Sequence, residues 1–472
     1  MKIGAKCIYE GRTWIFIASQ QQYATKDQSP PPTQASLGSP SLLLADRRQQ
    51  LEAVYLEAYL PSGETTTDTA FTNSVVATWI PTICYLASKD RIARLAFDSC
   101  ILMALGQMQG NLDFTHHGMA MYCQALTKTN RALQHTATAQ TDATLATCEI
   151  LAMCEKYRPH TKSDVSTQAS DFQRHVQGTA KLLELRGSHR HVDEHGFTLF
   201  VHARSIIAHS GITQRRRAYL GSSQWFEVPW SMQDRQRTLR DKLVDAMLMV
   251  GASLEQLDKW CHEMRSRSGC QPSNEASKAC ISACVTSVQL LQSWEIETLR
   301  ASAQDRLEDV CADRGLGIFH LIMSYWAVFL LLSARCWPVL NCISEPAPAL
   351  GALAALLRNP RTCALNIATY AHRYFPPTTG LVGPQYATFP LGVALNFITV
   401  SNEQEMIDGT RSTDGRGKDE ITTAMNRIQD LFRTDKRAKS TAEFLGSMAP
   451  DPAPQNLEGN TKGAEGHGRV VM

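Results

Sequence analysis

No two aspartates stand side by side anywhere in the 472 residues, which removes the clustered carboxylates that all-helical enzymes use to hold magnesium against a diphosphate. A G-x-S-x-G elbow, an H-E-x-x-H pair and a phosphate loop are equally missing, and RGLGIFH (314–320) lacks the third glycine of a dinucleotide turn. An enzyme is therefore not expected, and neither a catalytic residue nor a resident cofactor is assigned. Net charge is almost absent too: 47 Lys and Arg against 45 Asp and Glu leave +2. That balance does not announce a nucleic-acid or membrane-surface binder. The apolar run Trp14 to Ala18 is too short for a secretory leader, and no small-residue cleavage site follows it. No sustained alternation of apolar and polar residues calls for a strand.

What remains is the composition of a globular protein, 43% hydrophobic and 19% charged. With no leader to imply an oxidising compartment, the 14 cysteines read as reduced thiols packed as small hydrophobes. Residues 21–41, rich in Gln, Ser and Pro, cannot bury enough to offset the entropy of ordering, and read as a linker. From 42 to 448 the period is helical, which predicts an all-α fold: Leu43, Arg47, Leu51, Val54, Tyr55, Ala58 and Tyr59 mark one helix, Leu95, Ser99, Leu102 and Leu105 another. Asp171 to Arg186 reads as a helix capped by Asp171, with the stripe Phe172, Val176, Ala180 and Leu183, and a stop at Gly187. Two stretches, 221–230 and 376–390, read as loops anchored by aromatics such as Trp225, Trp230 and Tyr374, because their prolines, glycines and turn formers break a helix. Residues 317–334 are apolar enough to cross a membrane, yet His320, Ser324 and the flanking helices favour a buried core helix. Residues 449–472 are expected to be a disordered tail.

Three clusters could carry chemistry. GSHRHVDEHG brings His189, His191, Asp193, Glu194 and His195 close in sequence; they could converge on zinc or nickel, but the stretch reads first as a solvated connector after a helix stop. Cys280 and Cys284 share a helix face with no second pair nearby, and read as packing. QRRR (214–217) could meet phosphates, but reads as a solvated or ion-paired face.

Four segments, in order, resemble the regulatory region of fungal zinc-cluster transcription factors. The stretch 104–133 is similar to that family's helix pair, with Gly110 at the turn and Tyr122, Ala125 and Leu126 on the packing face; 172–187 is similar to its most recognisable helix, with His175, Gly178, Leu182, Leu183 and the Arg186–Gly187 stop. WFEVPW (225–230) and residues 373–397 resemble its two later aromatic loops. The opening GAKCIYEGRTWIFI resembles the end of the family's six-cysteine module, so residues 1–20 read as its remnant and Cys7 as the sixth zinc ligand. One thiolate cannot close a zinc site, which takes four ligands. The resemblance implies a transcriptional regulator in the nucleus, often serving a metabolic or secondary-metabolite pathway, with the transcription machinery, a partner regulator or a second copy of the chain as partners, and no membrane. DNA and zinc are expected only if an upstream cysteine cluster completes the module. The competing reading is a helical ligand-binding protein or enzyme with no transcriptional role.

Overall fold

A computed structural model describes residues 40–61, 78–158, 165–231, 235–266, 274–342, 348–407, 415–435 and 437. Among them every regular element is a helix and none is a strand. Residues 1–39, including Cys7, and the tail from 449 lie outside the described residues.

The first half begins with α1 (Pro40–Tyr59), α2 (Ile80–Lys89) and α3 (Arg91–Gln109), and α3 forms a hairpin with α4 (Leu112–Leu133). Asp90 caps α3 by accepting from the amides of Ile92 and Ala93, and Gly110, at φ +65°, ends it. The hairpin is close because Gly118 has no side chain: a Cβ there would stand 2.6 Å from Met103 Cγ. After the single turn α5 (Thr136–Ala139), α6 (Asp142–Glu155) is buried over most of its surface against α3, α4 and α7 (Val165–Arg186). Because residues 165–170 contain no helix breaker, α7 starts a turn and a half before Asp171. Asp171 is consequently not the cap; its carboxylate meets Arg158 at 3.0 Å and Arg174 at 2.5 Å. Gly187, at φ +76°, stops the helix as its position predicts.

α8 (Glu194–Thr213) packs on α6 and α7 and passes the chain through the 3-10 turns Tyr219–Gly221 and Val228–Trp230, with the short α9 (Ser223–Glu227) between them. The segment 221–230 is thus a string of helical turns, and its aromatics close over Arg204 of α8. That guanidinium is buried, pairs with Asp245 and lies 5.0 Å from the centre of Trp230 and 5.3 Å from that of Phe226. Trp225 is buried while Trp230 is only half-buried.

The second half opens with α10 (Leu239–Ser266) and α11 (Asn274–Ser302), antiparallel because Trp294 Nε1–H donates to the Leu239 carbonyl, Ser253 meets Ser287, and Trp260 Nε1–H donates to Ser277. α12 (Leu307–Asp313) leads to α13 (Leu316–Cys342), around which α10, α15 (Pro360–Tyr370) and α16 (Val382–Ile407) gather; α14 (Pro348–Leu356) lies on α11, and α17 (Gly415–Thr434) on α15 and α16. The apolar window of α13 is 83% buried within the fold, so packing accounts for its hydropathy. Residues 382–390 correct the loop expectation for 376–390. Only the start is irregular, a 3-10 turn at Pro377–Thr379; Pro384 falls in the first turn of α16, where an amide hydrogen has no helical partner anyway, and Pro390 is carried inside the helix.

Candidate functional site

The first half packs on the second through α8 and α10, and a group of polar side chains from α6, α8, α13 and α16 stands near that seam. On α8, His202 and His209 lie seven residues apart on one face. His202 stacks on Trp79 at 4.2 Å and bonds through Nδ1 to Glu149 of α6; His209 donates from Nδ1 to the Ser205 carbonyl and meets Phe389 of α16 edge-on at 4.6 Å. From α13, His320 stacks on Tyr386 of α16 at 4.2 Å, and its Nδ1 bonds the Tyr374 hydroxyl at 2.9 Å. Gln385 of α16 donates to the Tyr157 hydroxyl, across 228 positions of sequence. Lys156, the residue capping the end of α6, enters from the same side, its ammonium 5.8 Å from the centre of Phe172.

Lys156, His202, His209, His320, Gln385, Tyr386 and Phe389 are all half-buried. The electrostatics are consistent with depth. Burial pushes the His209 imidazole down to about 4 and His320 to about 3, with Lys156 adding to the first and His209 to the second. His202 is lowered well below the ordinary histidine range by burial and then by Lys156 and Arg240, while burial raises Glu149 well above the carboxylate range. Both directions make that pair a neutral one sharing a proton. The Lys156 amine is brought down to about 8 by burial and stays largely cationic at neutral pH.

A second polar cluster lies nearby but is closed. Tyr122 of α4 donates to Glu155 and contacts His175 Nε2 of α7 at 3.0 Å, while Arg158 pairs with Glu155 at 3.2 Å. All but Arg158 are fully buried, so this network ties α4, α6 and α7 together and presents nothing to a ligand. An open groove of about 520 Å³ runs past Glu57, Leu60, Met108, Phe375 and Arg437. Its cation is already committed: Arg437 donates to the carbonyls of Phe375 and Gly380 and pairs with Asp435.

The residues singled out in the sequence fall elsewhere. His191 is fully buried and stacks on Phe200 at 5.3 Å, His195 stacks on Tyr85 at 4.5 Å, and Asp193 caps α8 by accepting from the Gly196 amide. His189 and Glu194 stay exposed. The stretch is therefore a packed 3-10 turn and helix start where a solvated connector was expected, because His191 has aromatic rings to lie against. Among the described residues, no three His, Cys, Asp or Glu side chains come together as a metal group. Cys280 and Cys284 are buried, and their mutual hydrogen bond and burial raise the Cys280 thiol. In the QRRR run Arg215 pairs with Asp258 at 3.5 Å, and the Arg217 amide donates to Glu255 at 2.6 Å, an ion-paired face as read. The residues of the polar cluster escaped the sequence reading because each is isolated along the chain. The one local signal was the seven-residue spacing of His202 and His209 in VHARSIIAH.

Compared with protein-family models, curated proteins and solved structures, the chain finds no match.

Proposed function

We propose that this chain is the regulatory part of a transcriptional regulator of the fungal zinc-cluster type, acting in the nucleus on a metabolic or biosynthetic pathway through the transcription machinery or a partner regulator. The supporting observation is where the resembling residues lie. Tyr122, Ala125, Leu126, His175, Leu182 and Leu183 are all buried, and α4 and α7 both pack on α6, so the resemblance rests on residues that build one all-α core. Cys7 as a remnant sixth ligand, and any zinc or DNA held with it, belong to the same proposal. A regulatory domain acts by having its arrangement biased by a ligand or partner that prefers one state. The test is a fusion of the full chain to an unrelated DNA-binding module placed upstream of a reporter gene. Reporter output that differs several-fold from the module alone is expected; output equal to the module alone sinks the reading. The polar cluster of His202, His320 and Gln385 favours a second reading, a helical ligand-binding protein without a transcriptional role, which predicts an inert fusion and a protein that still binds its ligand.

A further inference from the structure

The described chain ends on the wall of a groove. Past α17, Arg437 donates to the carbonyls of Phe375 and Gly380 and pairs with Asp435, which fixes the point from which residue 438 departs; the residues from there on lie outside the described ones. The facing wall is fixed as well. The Leu381 amide donates to the Ala58 carbonyl at 2.9 Å, and Gly380, at φ +61°, lets the end of α1 come so near that a Cβ would stand 2.6 Å from the Tyr59 carbonyl oxygen. Between these walls runs the open groove of about 520 Å³, a volume that takes a drug-sized body or a few large side chains. Its lining is largely apolar, with Leu60, Met108, Phe375 and Pro377. Met108 is 42% exposed, and Leu112, on the other side of the same hairpin tip, 69%, so the tip beside the groove presents apolar surface to water. Asp435 and Arg437 neutralise each other, and among the described residues Glu57 is the one charged side chain of the lining without an ion pair.

The chain beyond Arg437 supplies what the groove lacks. Residues 438–448 read AKSTAEFLGSM, and Phe444, Leu445 and Met448 are the first large apolar side chains after α17. The steps from 437 to 444 carry Phe444 up to about 25 Å from Arg437, enough to return across a groove that Arg437 itself lines. Lys439 has the sign opposite to that of Glu57. The other segment that departs beside the groove, after Pro61, begins SGETTTD, with no large apolar residue and with the sign of Glu57 itself. A tether as short as 438–443 holds its end at a millimolar effective concentration, so that even a weak contact is populated.

We propose that the groove between the end of α1, the tip of the α3–α4 hairpin and the turns before α16 is the docking site of this chain's own segment 438–448, with Phe444 and Leu445 against Leu60, Met108 and Phe375, Lys439 toward Glu57 and Glu443 toward water. The segment then straps the first half of the molecule to the second, because α1 and the hairpin belong to one and the turns that carry Phe375 and Pro377 to the other. This assignment stands whether or not the chain regulates transcription.

Oxidation of methionine by hydrogen peroxide, read residue by residue by mass spectrometry on the full-length protein, reports whether Met108 is covered. In the unaltered protein Met108 is expected to oxidise no faster than Met121, a half-buried methionine of α4, although without the segment Met108 is the more exposed of the two. Phe444→Ser combined with Leu445→Ser should speed the oxidation of Met108 about five-fold or more, the change for a segment docked in about four-fifths of the molecules, and leave Met121 and the far-ultraviolet circular dichroism unchanged. A synthetic peptide of residues 438–448, added at about one millimolar to match the tether, should restore the protection in the double variant. Met108 oxidising faster than Met121 in the unaltered protein, equal Met108 rates in the two proteins, a peptide without effect, or a protection that grows with protein concentration, as a second copy of the chain in the groove would give, overturns the proposal. The comparison of Met108 with Met121 in the unaltered protein decides even if the double variant misfolds.

Discussion

At the scale of the residue, the Glu155 carboxylate shows how this protein handles a buried charge. Burial pushes its pKa up, but the hydrogen bond from His175, the Arg158 guanidinium and the Tyr122 hydroxyl outweigh burial and hold it below the usual carboxylate range. A depressed carboxylate contributes stability that is present above its unfolded value, about 4.3, and is lost as pH falls through the lower folded one. The two ways of disturbing the cluster should differ in size. Glu155→Leu leaves Arg158 and His175 around an apolar side chain and should cost about 3 to 5 kcal/mol. Tyr122→Phe removes one donor while the carboxylate keeps its charged neighbours, and should cost about 1 to 3 kcal/mol. Urea unfolding at neutral pH measures both; a Tyr122→Phe loss equal to that of Glu155→Leu would mean that the hydroxyl, and not the ion pairing, holds the cluster. Among the eleven cysteines whose side chains are described, eight are buried and none is disulfide-bonded, so these thiols are packing atoms.

At the scale of the element, helical periodicity was legible wherever a helix has one wet face, as in α1, α3 and α4. It failed where the burial pattern came from tertiary contacts. The aromatics of 221–230 are held in helical turns by Arg204 and Arg237, whose partner Asp245 lies on α10, and no local pattern announces that. Pro390 misled for a different reason. A proline inside a helix removes one hydrogen bond and crowds the carbonyl four residues back, here that of Tyr386, at a cost near 3 kcal/mol. The structure carries that cost because Pro390 is buried among the helices around α13. Pro390→Ala would regain the helical bond and lose the packing of a small ring, about 1 to 1.5 kcal/mol. The helix term is larger, so the variant should be more stable by about 1 to 2 kcal/mol. A lowered urea midpoint would show that the proline is fixed by packing worth more than the bond it forfeits. The polar cluster was hidden from the sequence by the same cause as the aromatic turns: Glu149, Lys156, His202, His320 and Gln385 come from four helices, and only the folded chain brings them together.

At the scale of the whole molecule, the histidines stand at the seams. His209 and His320 lie where the first half meets the second, and His191 is sealed between α8 and the aromatic turns. Burial lowers all three, His191 to about 3, His209 to about 4 and His320 to about 3; Arg186 and His189 add to the first, Lys156 to the second and His209 to the third. Only the Gly196 and Ser205 carbonyls pull the other way, on His191 and His209. A group whose folded pKa is depressed binds its proton more readily in the unfolded chain. Stability is therefore full above the unfolded value, about 6.5, and drains as pH falls toward the folded values, with a slope of up to about 1.4 kcal/mol per pH unit for each histidine. Glu149 and His202 drop out of this window: the folded pair keeps one shared proton, and between about pH 4.5 and 6.5 the unfolded pair also binds one, on the histidine. Glu155 loses its contribution only below about 4.3, so it does not blur the upper part of the window. The expected outcome is a urea midpoint that falls by a few kcal/mol in equivalent stability between about pH 6.5 and pH 5. His209→Gln and His320→Gln should each flatten that fall, because glutamine offers hydrogen bonds without a proton to bind. A midpoint that holds constant down to pH 5, or that falls just as steeply in both variants, would show that the halves separate easily enough for these rings to be protonated in place.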